Sequence, residues 1–511
     1  MSHYDSIVIG AGFGGLGAAI QLAEGGQRVL LLEALKYAGG CAATFKKGDY
    51  QFEAGATLFS GFSEGQLFQK WQQRYQWPIQ FQKLNPTICF RSEQLGELNI
   101  PPNRDALCEE WAQRYPEFRP QFEAFFLLQR RVADALWPLF DDPYRLPPFG
   151  KDSIRWHWKR KAQYTQLLSL INKPLIAVLK KYKLDTLPPF VEYCNAICQI
   201  TIQTSVMEAE APFALSTLDY IFRGTGHIHG GVGELTEAML QSLRDLGVQV
   251  TLSTRVRQVT RSPSGWTVEA RGKEYTARSV VANLTPHALE TLIKHPVKSL
   301  KAKAKAVEKG WGAAMLYLSL TDHPQLPEKA IHIQCVQDSH KPLRSGNHIF
   351  CSISARTETK RAPKGLRTAT VSTHVHMPSF QGLEDTEKAA AIEEIQSQMR
   401  RTLALRAPEV YGYIHTDMTA SPRTFERFTR RTHGYVGGTP RNFGWHNYQG
   451  IFPKPILPNL WMVGDSVFPG QSTLATAVGG CRTANAVLKK DWRQPTKELP
   501  DVHKQAARTP S

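Results

Sequence analysis

No run of about eighteen apolar residues occurs in this chain, so no helix in it is expected to cross a bilayer. Cysteine is sparse, with eight in 511 residues, and the spacing makes neither a disulfide framework nor a zinc framework. Cys194 and Cys198 share a predicted helix, but no second ligand pair and no histidine cluster answers them. They read as buried thiols, no metal is expected, and a reducing compartment fits. The N-terminus enters an apolar strand directly, without a basic stretch followed by an apolar one, so no secretory signal is expected. No internal repeat or low-complexity tract stands out. Acidic residues are in deficit, 45 Asp and Glu against 62 Lys and Arg, a formal charge of +17. Such a balance points to nucleic acid or to an anionic membrane surface. No zinc finger, aromatic RNA-binding signature or basic zipper accompanies it, which excludes nucleic acid as the expected partner. The basic residues concentrate at 155–183, 298–309 and 423–431. With 42% hydrophobic and 21% charged residues, the chain is globular, with more than one domain expected.

The information that is present concentrates in the first forty residues. Ser6-Ile7-Val8-Ile9 reads as a buried strand, followed by Gly10-Ala11-Gly12-Phe13-Gly14-Gly15. Residues 16–24 read as a helix and 27–32 as a second strand ending at Glu33. Strand, G-x-G-x-x-G turn, helix, strand and acid, in that order, make a dinucleotide fingerprint. Gly10 allows the tight turn, Gly12 lets the backbone approach a pyrophosphate, and Gly15 lets helix and strand pack closely. The helix N-terminus offers N–H groups and a positive dipole end to phosphate. Glu33 is placed to accept hydrogen bonds from ribose hydroxyls.

Further along, 39–61 reads as an irregular glycine-bearing segment with a short hairpin. Residues 66–224 carry helical patterning and aromatics, with proline breaks at 147–148 and 188–189. Gly230-Gly231-Val232-Gly233 opens a helix over 234–246, and strands are predicted at 248–252, 256–260, 266–270 and 280–283. Alternating stretches over 311–375 predict a second sheet, and 387–404 a helix. Leu460-Trp461-Met462-Val463 reads as a strand, Gly464-Asp465 follows, and a helix spans 473–489. Asp465 is placed to meet a ribityl hydroxyl or a phosphate. The expected fold is α/β: a discontinuous Rossmann-type nucleotide domain, a parallel sheet with helices, made of 1–75, 225–290 and 445–492. It is joined by an α+β substrate domain of 76–224 and 291–444, with a mixed sheet and a helical membrane-facing region. A loose tail is expected at 493–511.

Residues 10–33 with Gly39-Gly40 resemble the FAD fingerprint of the amine-oxidase-like and phytoene-desaturase-like flavoproteins. The stretch from Asn459 to Gln471 is similar to the second flavin motif of carotenoid desaturases and isomerases. Gly39 to Phe45, Phe52 to Thr57, and Pro422 to Thr429 resemble the carotenoid C-3',4' desaturase branch, whereas Ser60-Gly61-Phe62-Ser63 is closer to the cis–trans carotene isomerases. Two departures bear on substrate identity: Cys41 stands where many relatives carry a basic residue, and Ser472-Thr473-Leu474 alters a glycine-rich end. The resemblance implies FAD as cofactor, with Gly10, Gly12, Gly14, Gly15, Glu33, Gly39, Gly40, Gly464 and Asp465 around it and the Val256 backbone on the adenine.

The expected activity is desaturation of a linear carotenoid or related polyene by hydride transfer to flavin. A redox-neutral cis–trans carotene isomerase and a non-catalytic flavin- or pigment-binding protein are the alternatives. An amine oxidase is weaker, because no aromatic pair is assignable to an amine cage. No catalytic base is assigned, and His227 and His229 read as ordinary histidines beside a glycine turn. No second G-x-G-x-x-G exists, so a quinone or another acceptor, not a nicotinamide, is expected to exchange electrons with the flavin. Residues 153–187 combine Trp156, Trp158, lysines and apolar runs, which suits a lipid interface. Peripheral attachment to the cytoplasmic side of a membrane is expected.

Overall fold

The computed structural model describes residues 2–294 and 296–488. The opening apolar run folds as the strand Ser2–Ile9, which pairs in parallel with Val29–Leu32 on one side and Lys273–Ala282 on the other. All four residues of Val29–Leu32 are buried, as expected of a parallel strand covered on both faces. Gln249–Thr251 extends the sheet beyond Val29–Leu32. On the other side, Val256–Ser262, Gly265–Ala270 and Lys273–Ala282 form an antiparallel meander. Its second turn places Arg271 at φ 50° and Gly272 at φ 69°, the paired positive angles of a tight two-residue hairpin. Lys273–Ala282 runs longer than predicted because it is shared. Its first half pairs with the meander, and Val280 to Ala282 pair in parallel with Leu460–Met462. One sheet thus joins strands from the start, middle and end of the chain.

The helix Phe13–Glu24 crosses the last helix, Thr473–Leu488, at very short range. A Cβ on Gly17 would stand 2.5 Å from the Ala477 carbonyl, and one on Gly480 would stand 2.1 Å from the Gly14 carbonyl. The predicted helix end at Lys489 and the tail 493–511 lie outside the described residues.

A second seven-stranded sheet runs in the order Ile414–Ala420, Trp311–Thr321, Leu366–His376, His348–Ile353, Ile331–Val336, Ile88–Ser92, Gly96–Ile100. The last two strands lie within 66–224, a region read from sequence as helical. They are short, and Ile88–Ser92 finds its parallel partner at Ile331–Val336, far along the chain. Side chains alternate across this sheet as a period of two requires. Ala314, Leu316 and Leu318 pack with Ile395, Met399 and Leu403 of the helix Asp385–Arg406. Ala313 and Met315 face the other way, into the large cavity.

A helical block closes that cavity: Arg119–Phe140, Pro188–Ile202 and Ala211–Leu218. Its core holds fully buried Trp111, Phe122 and Phe190. Pro188-Pro189 begins a helix instead of breaking one, since proline fits the first turn, where the N–H has no partner.

Candidate active site

Ile9, Leu32, Ala282 and Met462 occupy matched register positions on four parallel strands. The segments after them therefore leave the sheet at one edge, the carboxyl ends of its strands, where open α/β sheets hold ligands. Gly10, Glu33, Asn283 and Gly464 meet there, and all four line a cavity of ≈ 690 Å³. Gly12, Gly14, Gly39, Gly40, Val256 and Asp465 line it too. Gly15 lies beneath: its Cβ would fall 1.9 Å from the Gly10 carbonyl, so its place is packing.

Asn283, to which sequence reasoning gave no role, sits among the glycines. A Cβ on Gly12 would stand 2.6 Å from Asn283 Nδ2, and one on Gly14 or Gly464 would stand 2.8 Å from Asn283 Oδ1. Its place is set by register: Ala282 pairs with Ile9, so Asn283 leaves the sheet beside Gly10. Glu33 is 9% exposed. Its two oxygens accept from Ala11 N–H at 2.6 Å and Leu35 N–H at 2.8 Å. Burial raises its pKa, and the two N–H groups oppose the rise. Each oxygen keeps a lone pair for a hydroxyl.

Asp465 accepts from Arg431 Nη2 at 2.6 Å, and Ser466 Oγ lies 3.3 Å from its other oxygen. Arg431 also donates to the Tyr435 carbonyl at 3.1 Å. Cys41 lines the same corner. Burial raises its pKa more than Arg431 lowers it, so it stays a thiol. Residues 472–476, which begin the last helix, face the cavity as well. Two helix N-termini thus turn their positive ends toward one space.

The second glycine turn is spent inside the protein. Val232 N–H donates to Glu53 at 3.1 Å, Gly233 N–H to Thr44 Oγ1 at 2.7 Å, and Gly230 N–H to Glu358 at 2.7 Å. Arg361 pairs with Glu53 at 3.0 Å, and His227 Nε2 lies 2.9 Å from Glu358. Burial pushes Glu358 up, but its contacts with His227, Arg361 and Gly230 hold its pKa near about 2. His229 is half-buried, 3.4 Å from Thr357 Oγ1. Cys194 and Cys198 are fully buried, all eight cysteines are free, and no metal-ligand group occurs among the described residues.

Beyond the glycines the cavity is walled by Trp137, Phe140, Phe213, Tyr220, Met315 and Phe350. His374 also lines that wall. Burial lowers its pKa to about 4, which keeps that imidazole neutral.

A parallel sheet with a glycine turn and an acid at one edge, opening into an apolar chamber, defines a dinucleotide-cofactor enzyme class. The chain belongs to the family "Flavin containing amine oxidoreductase", matched over residues 13–488. It is 25% identical over 508 residues to the chloroplastic prolycopene isomerase of Arabidopsis thaliana, covering 95% of this chain and 83% of that one. A 4,4'-diapophytoene desaturase of Methylomonas sp is 22% identical over 522 aligned positions, covering 96% of each. A putrescine oxidase structure matches with a TM-score of 0.64 at 14% identity, covering 95% of this chain and 99% of that one. The protein is an FAD-dependent oxidoreductase. The observed cavity fits that cofactor: bare glycine backbone lines it, and the acid and the helix N-termini have the polarity that ribose and pyrophosphate require.

Proposed function

We propose that this chain desaturates a linear carotenoid or related polyene taken from a membrane surface. The observation that carries this is the single cavity joining the glycine cradle to a largely aromatic wall. Gly10, Gly12 and Gly14 would hold the pyrophosphate, Glu33 the ribose, and the Val256 backbone, at the first residue of a sheet-edge strand, the adenine. Gly39, Gly40, Gly464 and Asp465 would border the rest of the cofactor. When bound, FAD supplies the two-electron acceptor. The wall residues exclude water and lay the apolar chain alongside. The domain boundaries given from sequence stand as part of this proposal. Isomerisation without net redox change is the second reading, favoured by the likeness to prolycopene isomerase. Incubation with an open-chain carotene in liposomes and a quinone acceptor tests the reading. Desaturation moves the absorption bands to longer wavelength, and unchanged bands count against it.

The acceptor is proposed to be a quinone or a similar oxidant. The second glycine turn is filled by Glu53, Thr44 and Glu358, and no other strand, glycine turn and acid in sequence follows. NADH or NADPH mixed anaerobically with the enzyme is expected to leave the flavin band intact over seconds in stopped flow. Rapid bleaching would overturn this.

Membrane contact is placed on a narrower segment than the sequence suggested. Residues 153–187 break into Lys151–Lys159, Lys161–Leu168 and Leu175–Lys181, and the last buries Leu175, Val178 and Leu179 in the core. The first two expose Ile154 at 58%, Trp158 at 70% and Leu168 at 70%. Lys151, Arg155, Lys159 and Lys161 stand exposed beside them. Such a face suits an anionic interface, where each basic residue contributes about 1 kcal/mol. No helix among the described residues is long and apolar enough to cross a membrane. The free cysteines suit the cytoplasmic face. Changing the four basic residues to Glu is expected to abolish sedimentation with anionic liposomes. Molar salt, which cuts screening to about 3 Å, is expected to release the native protein. Equal sedimentation of variant and native protein would remove this segment from the account.

A further inference from the structure

One stretch of the cavity wall is polar and plays no part in the cofactor account. Arg441 lines the cavity and is 8% exposed. Its guanidinium lies 5.2 Å from the Phe213 ring centre and 5.8 Å from that of Phe468, and it donates to the Pro469 carbonyl. No carboxylate lies within 4.0 Å of it among the described residues. Glu210, whose N–H bonds the Arg441 carbonyl, spends its own carboxylate on Asn172 N–H, Gly444 N–H and Tyr448 OH. The Arg441 N–H bonds the Ile202 carbonyl at 3.2 Å, which sets it beside Gln203.

Gln203 lines the cavity and is 7% exposed. Its Nε2 donates to the Val436 carbonyl at 3.2 Å, while its buried Oε1 has no partner. Gln471 repeats the pattern: Nε2 donates to the Thr439 carbonyl at 2.9 Å, and its buried Oε1 has no partner. Both glutamines are thus tied to the segment 436–441 that carries Arg441. Gly437 and Gly470 permit the crowding, since Cβ atoms there would stand 1.8 Å from Gln203 Nε2 and 2.7 Å from Arg441 Nη2. A buried cation without an anion and two buried acceptors without donors are costly to leave unmet, and the cavity is where they can be met.

We propose that this wall receives an oxygen-bearing end of the polyene, so that the substrate class is a polyene with a terminal hydroxyl or carboxylate, not a hydrocarbon at both ends. The inference rests on the polyene reading above. A hydroxyl accepts from Arg441 and donates to a glutamine Oε1 at once. A carboxylate takes the guanidinium in a charge-assisted pair.

The test titrates the FAD-loaded protein in detergent micelles with three probes. These are an open-chain carotene, the same chain with one terminal hydroxyl, and the same chain with one terminal carboxylate. Tryptophan quenching reads the binding, while flavin content and midpoint potential are measured alongside. An oxygenated probe is expected to bind about tenfold or more tighter than the hydrocarbon. Arg441→Met is expected to erase that preference with flavin content and potential unchanged. Gln203→Asn, which withdraws the acceptor and suits the left-handed backbone there (φ 58°), is expected to reduce the hydroxyl preference. Equal binding of all three probes to the native protein overturns the inference and leaves the polyene reading intact. So does an Arg441→Met protein that loses flavin or shifts its potential yet keeps the preference, because the guanidinium then serves the cofactor. If no probe binds, the polyene reading itself fails.

Discussion

Replacing Gly12 by valine is expected to leave a folded but colourless protein. Gly12 sits at φ −72° and ψ 170°, a region that valine adopts without strain, so the backbone does not pay for the change. The obstacle is steric. The new Cβ stands 2.6 Å from Asn283 Nδ2, so the side chain collides with Asn283 at the glycine turn that lines the cavity. A pyrophosphate held by the helix N-terminus needs that approach. FAD affinity is expected to fall at least about a hundredfold, on the order of 2.7 kcal/mol. Flavin absorbance per mole of purified protein measures it, with circular dichroism as the check on folding. Full flavin content in Gly12→Val would show that the cradle lies elsewhere.

The second large effect is expected at Arg431. Its 2.6 Å pair with Asp465 is mostly buried, with side chains 17% and 15% exposed. Removing one partner leaves the other charge buried and unpaired, which costs about 3–5 kcal/mol in such pairs. Arg431→Met is therefore expected to lower stability by about 3 kcal/mol and to weaken FAD retention, because Asp465 loses the group that orients it. Asp465→Asn in the same chain is expected to restore most of the stability, since no lone charge remains, but not the flavin content. Denaturant titration of the four proteins of the cycle separates the pair from its surroundings. Additive losses in the double variant would mean that the two side chains are not coupled.

The nucleotide half of the molecule was legible because its logic is local. The glycine turn, the apolar strands on either side and Glu33 lie within forty residues, and each strand has a continuous apolar run. Asn283 and Arg431 were not legible, because their meaning depends on where the sheet edge brings distant segments together. Asn283 acquires its place only when Ala282 registers against Ile9, and Arg431 only when a loop after the second sheet returns to Gly464-Asp465. The strands Ile88–Ser92 and Gly96–Ile100 pair with each other as a short hairpin, but Ile88–Ser92 joins the sheet only through a distant partner at 331–336. The segment proposed for membrane contact is narrower than the apolar and basic run read from the sequence. The run Leu175 to Leu179 has the same apolar character as the exposed helix before it, and only packing separates the two.

The mass of the product tests the central claim most directly. The enzyme is given an open-chain polyene in liposomes with a quinone acceptor, and the extracted pigments are analysed by mass spectrometry. Desaturation predicts a loss of two hydrogens for each new double bond, with one quinone reduced per step. A product of unchanged mass and altered retention would contradict desaturation and establish isomerisation in its place.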